Sequence, residues 1–321
     1  MTSKTSNRPI LIVDGLNLFT RHFIANPTMT KKGEPAGGVM GFVKALAWLV
    51  DDIFPSKVVV VWEGGGSARK RAIFSDYKQK RRPQKLNRFY EDMPNTVQNR
   101  NWQVATTVAL LRFLPVHQIY VENVEGDDVI GYICKYRFQN ENKIILSSDK
   151  DFYQLLDENT QIYTPTGKKY VNTDIVLEKF QITPNNFCTA KALCGDPSDN
   201  VPGIKGVGFK SLAKRFPELG SLEDVSISDI IKEATSRRTP KGPKIYQRIE
   251  EGADVIKRNW KLMYLGSSTM SASQIKKVNA SFDTFNPKHD KIGLLRKLVG
   301  EGLSTLEADR LFFTFSSVLK T

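Results

Sequence analysis

The chain of 321 residues carries 47 Lys and Arg against 34 Asp and Glu, a formal net charge of +13 with a pI near 9.5. A basic balance of this size favours binding to nucleic acid or to an anionic membrane surface. The membrane alternative is weak because no apolar run approaches the length that spans a bilayer. The N-terminal sequence MTSKTSNRPI also lacks the apolar stretch of a signal peptide. Composition therefore indicates a cytoplasmic, non-secreted protein with no membrane partner.

Cysteine and histidine usage argues against two further classes of protein. Cys134, Cys188 and Cys194 show no CxxC spacing and form an odd count, which predicts buried reduced thiols rather than a disulfide framework. The three histidines are scattered along the chain, so a zinc hydrolase is not indicated either.

Short β-rich apolar runs alternate with helical patterns through the first half of the chain. Strands are predicted at 10–13, 57–62, 117–121, 143–147 and 161–164, and helices at 39–53, 102–114, 127–138 and 152–156. This alternation predicts an α/β fold with helices on both faces of a mostly parallel sheet. After about residue 183 the pattern becomes helical, with predicted helices at 207–216, 244–265, 290–298 and 305–318.

Acidic residues form four short clusters at the ends of apolar runs or at helix starts. They are Asp14; Glu125, Asp127 and Asp128; Asp149 and Asp151; and Asp196 and Asp199. Because sites in such sheets lie beyond the carboxyl ends of the strands, Asp14, Glu63 and Asp149 should gather at one edge. Repulsion among these carboxylates would be costly without bound cations. The clusters therefore predict a site for hard divalent metals.

Each cluster also has a simpler interpretation when it is taken alone. Asp127 and Asp128 would favour the dipole of a helix at its first turn, and Asp196 and Asp199 would serve as turn or capping residues. The clusters together are harder to explain in this way, since every cap would have to fall on the same side of the sheet. Two Mg²⁺ or Mn²⁺ ions roughly 3.5–4 Å apart would suit phosphodiester hydrolysis.

A basic segment, residues 69–88, carries nine Lys and Arg against Asp76 alone, a local charge of +8. A solvated basic face is the ordinary interpretation of such a run. Aromatic residues lie among these cations, however, which suits contacts with bases and phosphates; Arg71, Tyr77 and Arg82 are the candidates for DNA binding. Lys78 and Arg81 are one helical turn apart and could together hold a scissile phosphate.

A glycine-rich segment, GIKGVG at 203–208, precedes the basic helical pattern FKSLAKRF. Glycines permit a tight hairpin whose N–H groups approach phosphate at a helix N-terminus. Candidate DNA contacts here are Gly203, Lys205, Gly206, Gly208 and Lys210. A nucleotide-binding Rossmann loop is the alternative, but that loop should follow a strand, whereas this segment follows the turn DPSDNVP.

These motifs, in this order, resemble the 5′-nucleases of the flap-endonuclease and 5′-3′ exonuclease type. The resemblance rests on LIVDGLNL, YKQKRRP, VEGDDVIGYI, LSSDKDFYQLL and GDPSDNVPGIKGVGFKSLAKRF. It implies a PIN-like core, residues 1–185, with a helical arch around 78–114. It also implies a helical DNA-binding region, 186–321, with a helix–hairpin–helix at 196–216. One motif departs from the family pattern, because Glu63 stands where the family usually has Asp.

The resemblance also implies roles for these residues. Glu63, Glu125 and Asp127, with Asp14 directly or through water, would hold one metal ion. Asp128, Asp149, Asp151 and Asp199 would hold or orient the second, with Asp196 also at the metals. Lys78 and Arg81 would lie over the scissile phosphate, and K⁺ would bind at the hairpin.

The expected substrates are DNA with 5′ flaps, nicks or overhangs and RNA/DNA hybrids, cut by a monomer during replication or repair. A single-strand-binding protein or a sliding clamp would be the protein partner. The ribonuclease H enzymes of T-even phages would be the nearest group. Two alternatives remain at this point: a PIN-type single-strand ribonuclease, and a non-catalytic structure-specific DNA-binding protein.

Overall fold

A six-stranded mixed sheet forms the centre of the computed structural model, which describes residues 8–80 and 96–320. The strand order is β3-β2-β1-β4-β5-β6, with every neighbouring pair parallel except β5 and β6. The strands are β1 (Ile10–Asp14), β2 (Lys57–Trp62), β3 (Val116–Tyr120), β4 (Lys143–Leu146), β5 (Thr160–Thr164) and β6 (Lys169–Val171). The predicted mostly parallel α/β sheet is therefore confirmed, with β6 as an additional antiparallel edge strand.

Alternate side chains of β1 point into two different apolar clusters. Leu11 and Val13 belong to a cluster with α1 (Gly15–Ala25), α2 (Gly37–Ile53) and α4 (Thr96–Leu111). Ile10 and Ile12 face the other cluster, which includes α5 (Gly126–Tyr132) and α7 (Pro184–Cys194). Both faces of the sheet are thus covered by helices. That is why its central strands read as continuous apolar runs rather than as alternating patterns.

The helix predicted at 127–138 is divided in the structure. α5 ends at Tyr132, and the π-helix Ile133–Arg137 continues it. The buried Lys143 of β4 closes this end, because its Nζ donates to the carbonyl oxygens of Phe138 (2.8 Å), Gln139 (3.2 Å) and Glu141 (2.7 Å). A buried ammonium is costly unless it is hydrogen-bonded, and here it bonds three carbonyl groups of the turn that follows the π-helix.

The remaining helices follow in chain order. They are α3 (Ser67–Ile73), α6 (Thr173–Phe180), α8 (Phe209–Arg215), α9 (Ile227–Arg237), α10 (Lys244–Glu251), α11 (Ala253–Met263), α12 (Ala272–Asp283), α13 (Lys291–Gly300) and α14 (Ala308–Ser316). α13 and α14 return to the N-terminal core, where Leu294, Leu298 and Phe315 pack in the cluster that contains α2. The division into 1–185 and 186–321 stays a proposal, and in this structure the two parts share a core.

Part of the arch predicted around 78–114 can be placed. Residues 81–95 lie outside the described part of the chain. In α4, Gln103, Thr107 and Leu110 are buried, and the Gln103 side chain bonds the backbone of Gly38 and Pro35. This stretch of the predicted arch is therefore a core helix. Among the described residues, no helix is both long and apolar enough to cross a membrane.

Candidate active site

The carboxyl ends of four neighbouring strands deliver acidic side chains to one edge of the sheet. Asp14 is the last residue of β1, and Glu63 directly follows β2. Glu125 lies beyond β3 at the start of α5, and Asp149 lies three residues beyond β4. A cavity of about 620 Å³ opens at this edge, lined among others by Asp14, Asn17, Arg21, Glu63, Lys78, Asp127, Ser148, Asp149 and Asp199.

Glu125 is the buried centre of this region, with 1% of its surface exposed. Its Oε2 accepts from Lys70 Nζ (2.8 Å) and from the Tyr77 hydroxyl (2.9 Å). Its Oε1 accepts from Lys78 Nζ (2.7 Å) and from the Ser67 hydroxyl. Burial alone would raise the pKa of Glu125, but the two ammonium groups hold it well below its usual range.

Asp127 and Asp128 occupy the first turn of α5 beside Glu125. One carboxylate oxygen from each of these three residues lies within 4.8 Å of the other two, a spacing that can hold a metal ion. Asp128 is 3% exposed; Lys70 Nζ lies 3.1 Å from its Oδ2, whereas its Oδ1 has no hydrogen-bond partner among the described residues. Burial raises the pKa of Asp128 to about 7, although Lys70 opposes the rise.

Asp14 connects β1, α1 and β4. Its Oδ1 caps α1 by accepting from Asn17 N–H (3.0 Å), and its Oδ2 accepts from the Ser147 hydroxyl (3.0 Å). Burial raises the pKa of Asp14 to about 7 despite these hydrogen bonds, and the charges of Asp149 and Asp127 add to the rise. A carboxyl group held in this way stays partly protonated near neutral pH unless a cation is supplied.

A second lysine-bridged group lies where α7 faces the segment after β4. Lys191 of α7 contacts Asp151 and bonds Asp196 (2.7 Å). Asp196 also accepts from Ser198 N–H (2.9 Å) and the Ser198 hydroxyl (2.6 Å). Burial would raise the pKa of Asp196, but Lys191 lowers it overall. Asp151 and Asp196 are thus already paired with an ammonium group.

Of the two residues predicted to lie over the scissile phosphate, Lys78 and Arg81, Lys78 reaches the carboxylates. Its Nζ lies 2.7 Å from Glu125 and 3.8 Å from Asp199, and its backbone N–H donates to the Asp199 carbonyl (2.8 Å). Arg81 and Arg82 fall outside the described residues. Arg71 is exposed on α3, where it is free to reach a phosphate.

The structure corrects the role expected of Tyr77. Its ring is 3% exposed, so it cannot stack on a base as the sequence suggested. Its hydroxyl instead lies 2.9 Å from Glu125 and 3.2 Å from Asp199, and burial raises its pKa, which keeps it a proton donor. Tyr77 therefore holds two carboxylates in position.

Sequence reasoning missed the two lysines that neutralise these clusters. Lys70 is buried beside Glu125 and Asp128, and its pKa is raised because nearby carboxylates outweigh the cost of burial. Lys191 plays the corresponding part at Asp151 and Asp196. The one available signal for Lys191 is that it is the single charged residue of its helix, PNNFCTAKALC. Lys70 resembles the exposed cations around it.

The glycine-rich segment joins α7 to α8. Before it, two short strands, β7 (Gly195–Asp196) and β8 (Val201–Pro202), form an antiparallel pair. The start of the segment is bonded to α7, because Ile204 N–H donates to the Leu193 carbonyl (2.8 Å). Gly206 adopts a positive φ of 77°, a backbone conformation that favours glycine. Lys205 and Lys210 are exposed, and Gly208 is the N-cap residue of α8, with its N–H donating to the Ser211 hydroxyl (2.9 Å). α7 and α8 therefore flank the segment, and α7 lies before the predicted helix–hairpin–helix bounds of 196–216, which stay a prediction.

Gly203→Ala is expected to destabilise this hairpin. An added Cβ would lie 2.1 Å from the Cys194 carbonyl oxygen and 2.5 Å from Gly195 N, so the backbone would have to move. We expect the free energy of unfolding to fall by about 2 kcal/mol or more, measured by urea denaturation. Gly208→Ala is the matched control, because no atom lies within 4 Å of its added Cβ. Equal losses in both variants would contradict a steric cause.

Comparisons with known proteins agree with this arrangement. Residues 9–181 match the sequence model of the 5′-3′ exonuclease N-terminal resolvase-like domain, and residues 182–284 match the 5′-3′ exonuclease C-terminal SAM fold. A 5′-3′ exonuclease of Aquifex aeolicus is 30% identical over 220 residues, 68% of this chain and 72% of that protein. The thermostable DNA polymerase I of Thermus thermophilus is 34% identical over 219 residues, which span 67% of this chain but 24% of the polymerase.

Solved structures show the same fold at lower sequence identity. The T5 D15 protein co-crystallised with metal ions aligns with a TM-score of 0.69 at 20% identity, covering 86% of this chain and 99% of that one. Flap endonuclease-1 from Methanococcus jannaschii aligns with a TM-score of 0.54 at 14% identity, covering 97% and 91%. Both domains of one family match in sequence order, and together they span most of the chain. The chain therefore belongs to the 5′-3′ exonuclease family of nucleases.

Proposed function

We propose that this nuclease cuts DNA at 5′ flaps, nicks and overhangs and removes RNA primers, with two Mg²⁺ or Mn²⁺ ions. The observation that carries the proposal is the acidic edge of the sheet, where carboxylates from four strand ends surround one open cavity beside Lys78. A structure of the T5 D15 flap endonuclease in complex with DNA and metal ions, with a TM-score of 0.68, supports the substrate class. The predicted nearness to T-even phage ribonuclease H and the expected protein partners stay predictions.

The residues present fit divalent metal ions. The acidic side chains that line the cavity offer oxygen ligands, which hard cations prefer. Asp128 has a buried carboxylate oxygen without a partner among the described residues, and the raised pKa values of Asp14 and Asp128 show that local positive charge is insufficient. Asp14, Glu63, Asp127, Asp149 and Asp199 would hold the ions directly or through water, with Asp128 behind them. Such ions would supply an activated water and stabilise charge on the phosphate.

The buried residues behind the cavity hold this edge in shape. Glu125 receives four hydrogen bonds, so it is better placed to orient Lys78 and Tyr77 than to bind a metal through a free oxygen. Lys78 can turn from Glu125 to a phosphate oxygen, where its charge would stabilise the transition state. Lys191 pairs with both Asp151 and Asp196. These two carboxylates would therefore hold the surrounding segments in position rather than bind a metal ion directly.

The hairpin would bind the duplex beside the cut. Lys205 and Lys210 are exposed next to the N-terminus of α8, and Arg71 is exposed on α3. Backbone carbonyls of the hairpin would hold K⁺. Contacts of this kind depend on charge, so affinity for duplex DNA should fall steeply as salt rises.

A cleavage assay tests the proposal. A labelled 5′-flap DNA and a matched single-stranded RNA are incubated with the protein in Mg²⁺, and separately in EDTA. We expect Mg²⁺-dependent cleavage near the flap junction that leaves a 5′-phosphate. Cleavage of the RNA alone would favour the PIN-type ribonuclease, and binding of the flap without cleavage in Mg²⁺ or Mn²⁺ would favour the non-catalytic alternative. Either result would overturn the proposed function.

A further inference from the structure

A groove lined by residues of α3 and α11 reaches the buried part of the acidic cluster. It consists of two adjoining cavities of about 300 and 630 Å³ that share Trp260, Lys261 and Tyr264 as lining residues. The smaller cavity reaches Lys70 and Asp128 of the carboxylate cluster. The larger one extends towards α7 and α9. Volumes of this size are those of ligand-binding clefts rather than packing defects.

Two stacked aromatic rings form the wall common to both cavities. Trp260 and Tyr264 lie one turn apart on α11 and just beyond it, with ring centroids 4.4 Å apart and planes 16° from parallel. Both rings are only partly buried, and they pack on the small apolar cluster that contains Tyr77. A rigid, partly exposed indole face of this kind is a surface on which a nucleobase can stack.

Three lysines surround these rings. Lys135 Nζ lies 4.4 Å from the centroid of Tyr264, and Lys257 and Lys261 are exposed on α11. In the described part of the chain, none of the three lies within ion-pair distance of a carboxylate. Asp224 is the acidic residue of the larger cavity. Burial lowers the pKa of Lys135, so an anion that entered the groove would relieve the cost of its charge.

The groove is also closed on one side by a specific contact. Arg69 of α3 donates to the carbonyl oxygens of Thr269 (2.8 Å) and Ser268 (3.0 Å), which ties α3 to the short helix Ser267–Thr269. The guanidinium thereby forms part of the wall and adds positive charge to it. Stacked aromatics, unpaired cations and a fixed wall occur together here, beside the cluster at which strands would be cut.

We propose that this groove binds single-stranded nucleic acid, with a base stacked on Trp260 and phosphates held by Lys135, Lys257 and Lys261. The proposal rests on the proposed function for its class of ligand. A flat π-face between spaced ammonium groups matches alternating bases and phosphates, whereas an acidic peptide would use the charges and leave the indole face unused. The groove would thus guide a single strand near the cutting site without taking part in the chemistry.

Binding measured in EDTA tests the groove separately from cleavage. The full chain is titrated with 5′-phosphorylated (dT)6 and with a blunt duplex, and its tryptophan emission and binding anisotropy are followed. We expect Trp260→Leu and the double variant K257A/K261A each to weaken (dT)6 binding by about fivefold or more, with the duplex affinity changed less than about twofold. Quenching of emission by (dT)6 should disappear in Trp260→Leu.

The double variant K276A/K277A is the control, because it removes the same charge from exposed positions of α12 outside the groove. The proposal is overturned if both groove variants bind (dT)6 like the parent chain, or if the control weakens binding equally. It is also overturned if poly-glutamate competes as well as (dT)6, or if thymidine 5′-monophosphate binds as tightly as the hexamer. If the protein cleaves no flap but the groove variants bind (dT)6 as expected, the groove proposal holds and the proposed nuclease substrate fails.

Discussion

Asp127→Asn is expected to reduce Mg²⁺-dependent cleavage by at least about a hundredfold while leaving the fold intact. Asp127 lines the metal cavity and is partly exposed, and its Oδ1 accepts from Asp128 N–H at 2.9 Å. An Asn oxygen can keep that hydrogen bond, so the substitution removes mainly a charge. Metal ions held by the remaining carboxylates would then bind more weakly and activate water less well.

The same variant should behave differently when no metal is present. Asp127 attracts two ammonium groups, those of Lys70 and Lys78. Its repulsion raises the pKa of four carboxyl groups, those of Asp14, Glu63, Asp128 and Asp149, so its neutralisation should on balance stabilise the metal-free protein. We expect a higher Tm in EDTA and equal or tighter binding of flap DNA, because one negative charge has left the cavity. Single-turnover cleavage, calorimetric Mg²⁺ binding, thermal unfolding in EDTA and titration with flap DNA measure these four effects.

Glu122→Gln is the matched control for Asp127→Asn. It removes the same charge five residues earlier, from an exposed side chain outside the cavity lining. Cleavage by Glu122→Gln should stay within about twofold of the parent chain, since surface charges contribute little. Loss of less than about tenfold in Asp127→Asn, or a loss of equal size in the control, would show that Asp127 does not hold a metal ion.

The sequence predicted the sheet and its acidic edge well because both depend on local patterns. The central strands are buried on both faces, so their apolar runs stand out, and the prediction for β2 matches its observed bounds. Where a parallel strand ends, the next residue must lie at the common edge. Asp14, Glu63 and Asp149 could therefore be placed together before any contact was known.

Elements without a clear start were harder to predict. α1 begins at Gly15 directly after β1, and Asp14 serves both as the end of the strand and as the helix cap. No turn separates the two elements, so the sequence shows a single apolar stretch. The π-helix at Ile133–Arg137 is likewise invisible in the pattern, because its change in backbone bonding is marked by no glycine or proline among these residues.

The roles of cations could not be predicted from the sequence. Lys70 and Lys191 are buried against carboxylates, while Lys205 and Lys210 are exposed, yet all four belong to basic or mixed stretches. A lysine side chain is long and flexible, so its partner is decided by tertiary packing rather than by spacing along the chain. Tyr77, in a basic segment, is buried because of tertiary contacts as well, with its ring in an apolar cluster and its hydroxyl on Glu125 and Asp199.

Mg²⁺ is expected to raise the Tm at pH 7.5 and to raise it less at pH 5. The rise at pH 7.5 should exceed the rise at pH 5 by about 5 °C or more. The pKa values of Asp14 and Asp128 are both raised to about 7, so in the folded state these groups are protonated at pH 5. In the unfolded chain they ionise near pH 4. Between these values folding takes up protons, and the free energy of unfolding falls as pH rises towards 7.

Bound Mg²⁺ would replace those protons, so its benefit is largest where the carboxylates are ionised. The pH dependence of stability measured without metal is a poor test on its own, because a histidine also contributes to it. Burial lowers the pKa of His117 to about 4, which makes the free energy of unfolding rise with pH up to about 6.5. The difference between Mg²⁺ and EDTA at each pH removes this histidine contribution, provided that KCl keeps the ionic strength equal. Asp127→Asn should lose most of the Mg²⁺ effect at pH 7.5, whereas Glu122→Gln should keep it. An equal rise in Tm at both pH values would mean that the raised pKa values do not belong to the metal-binding carboxylates.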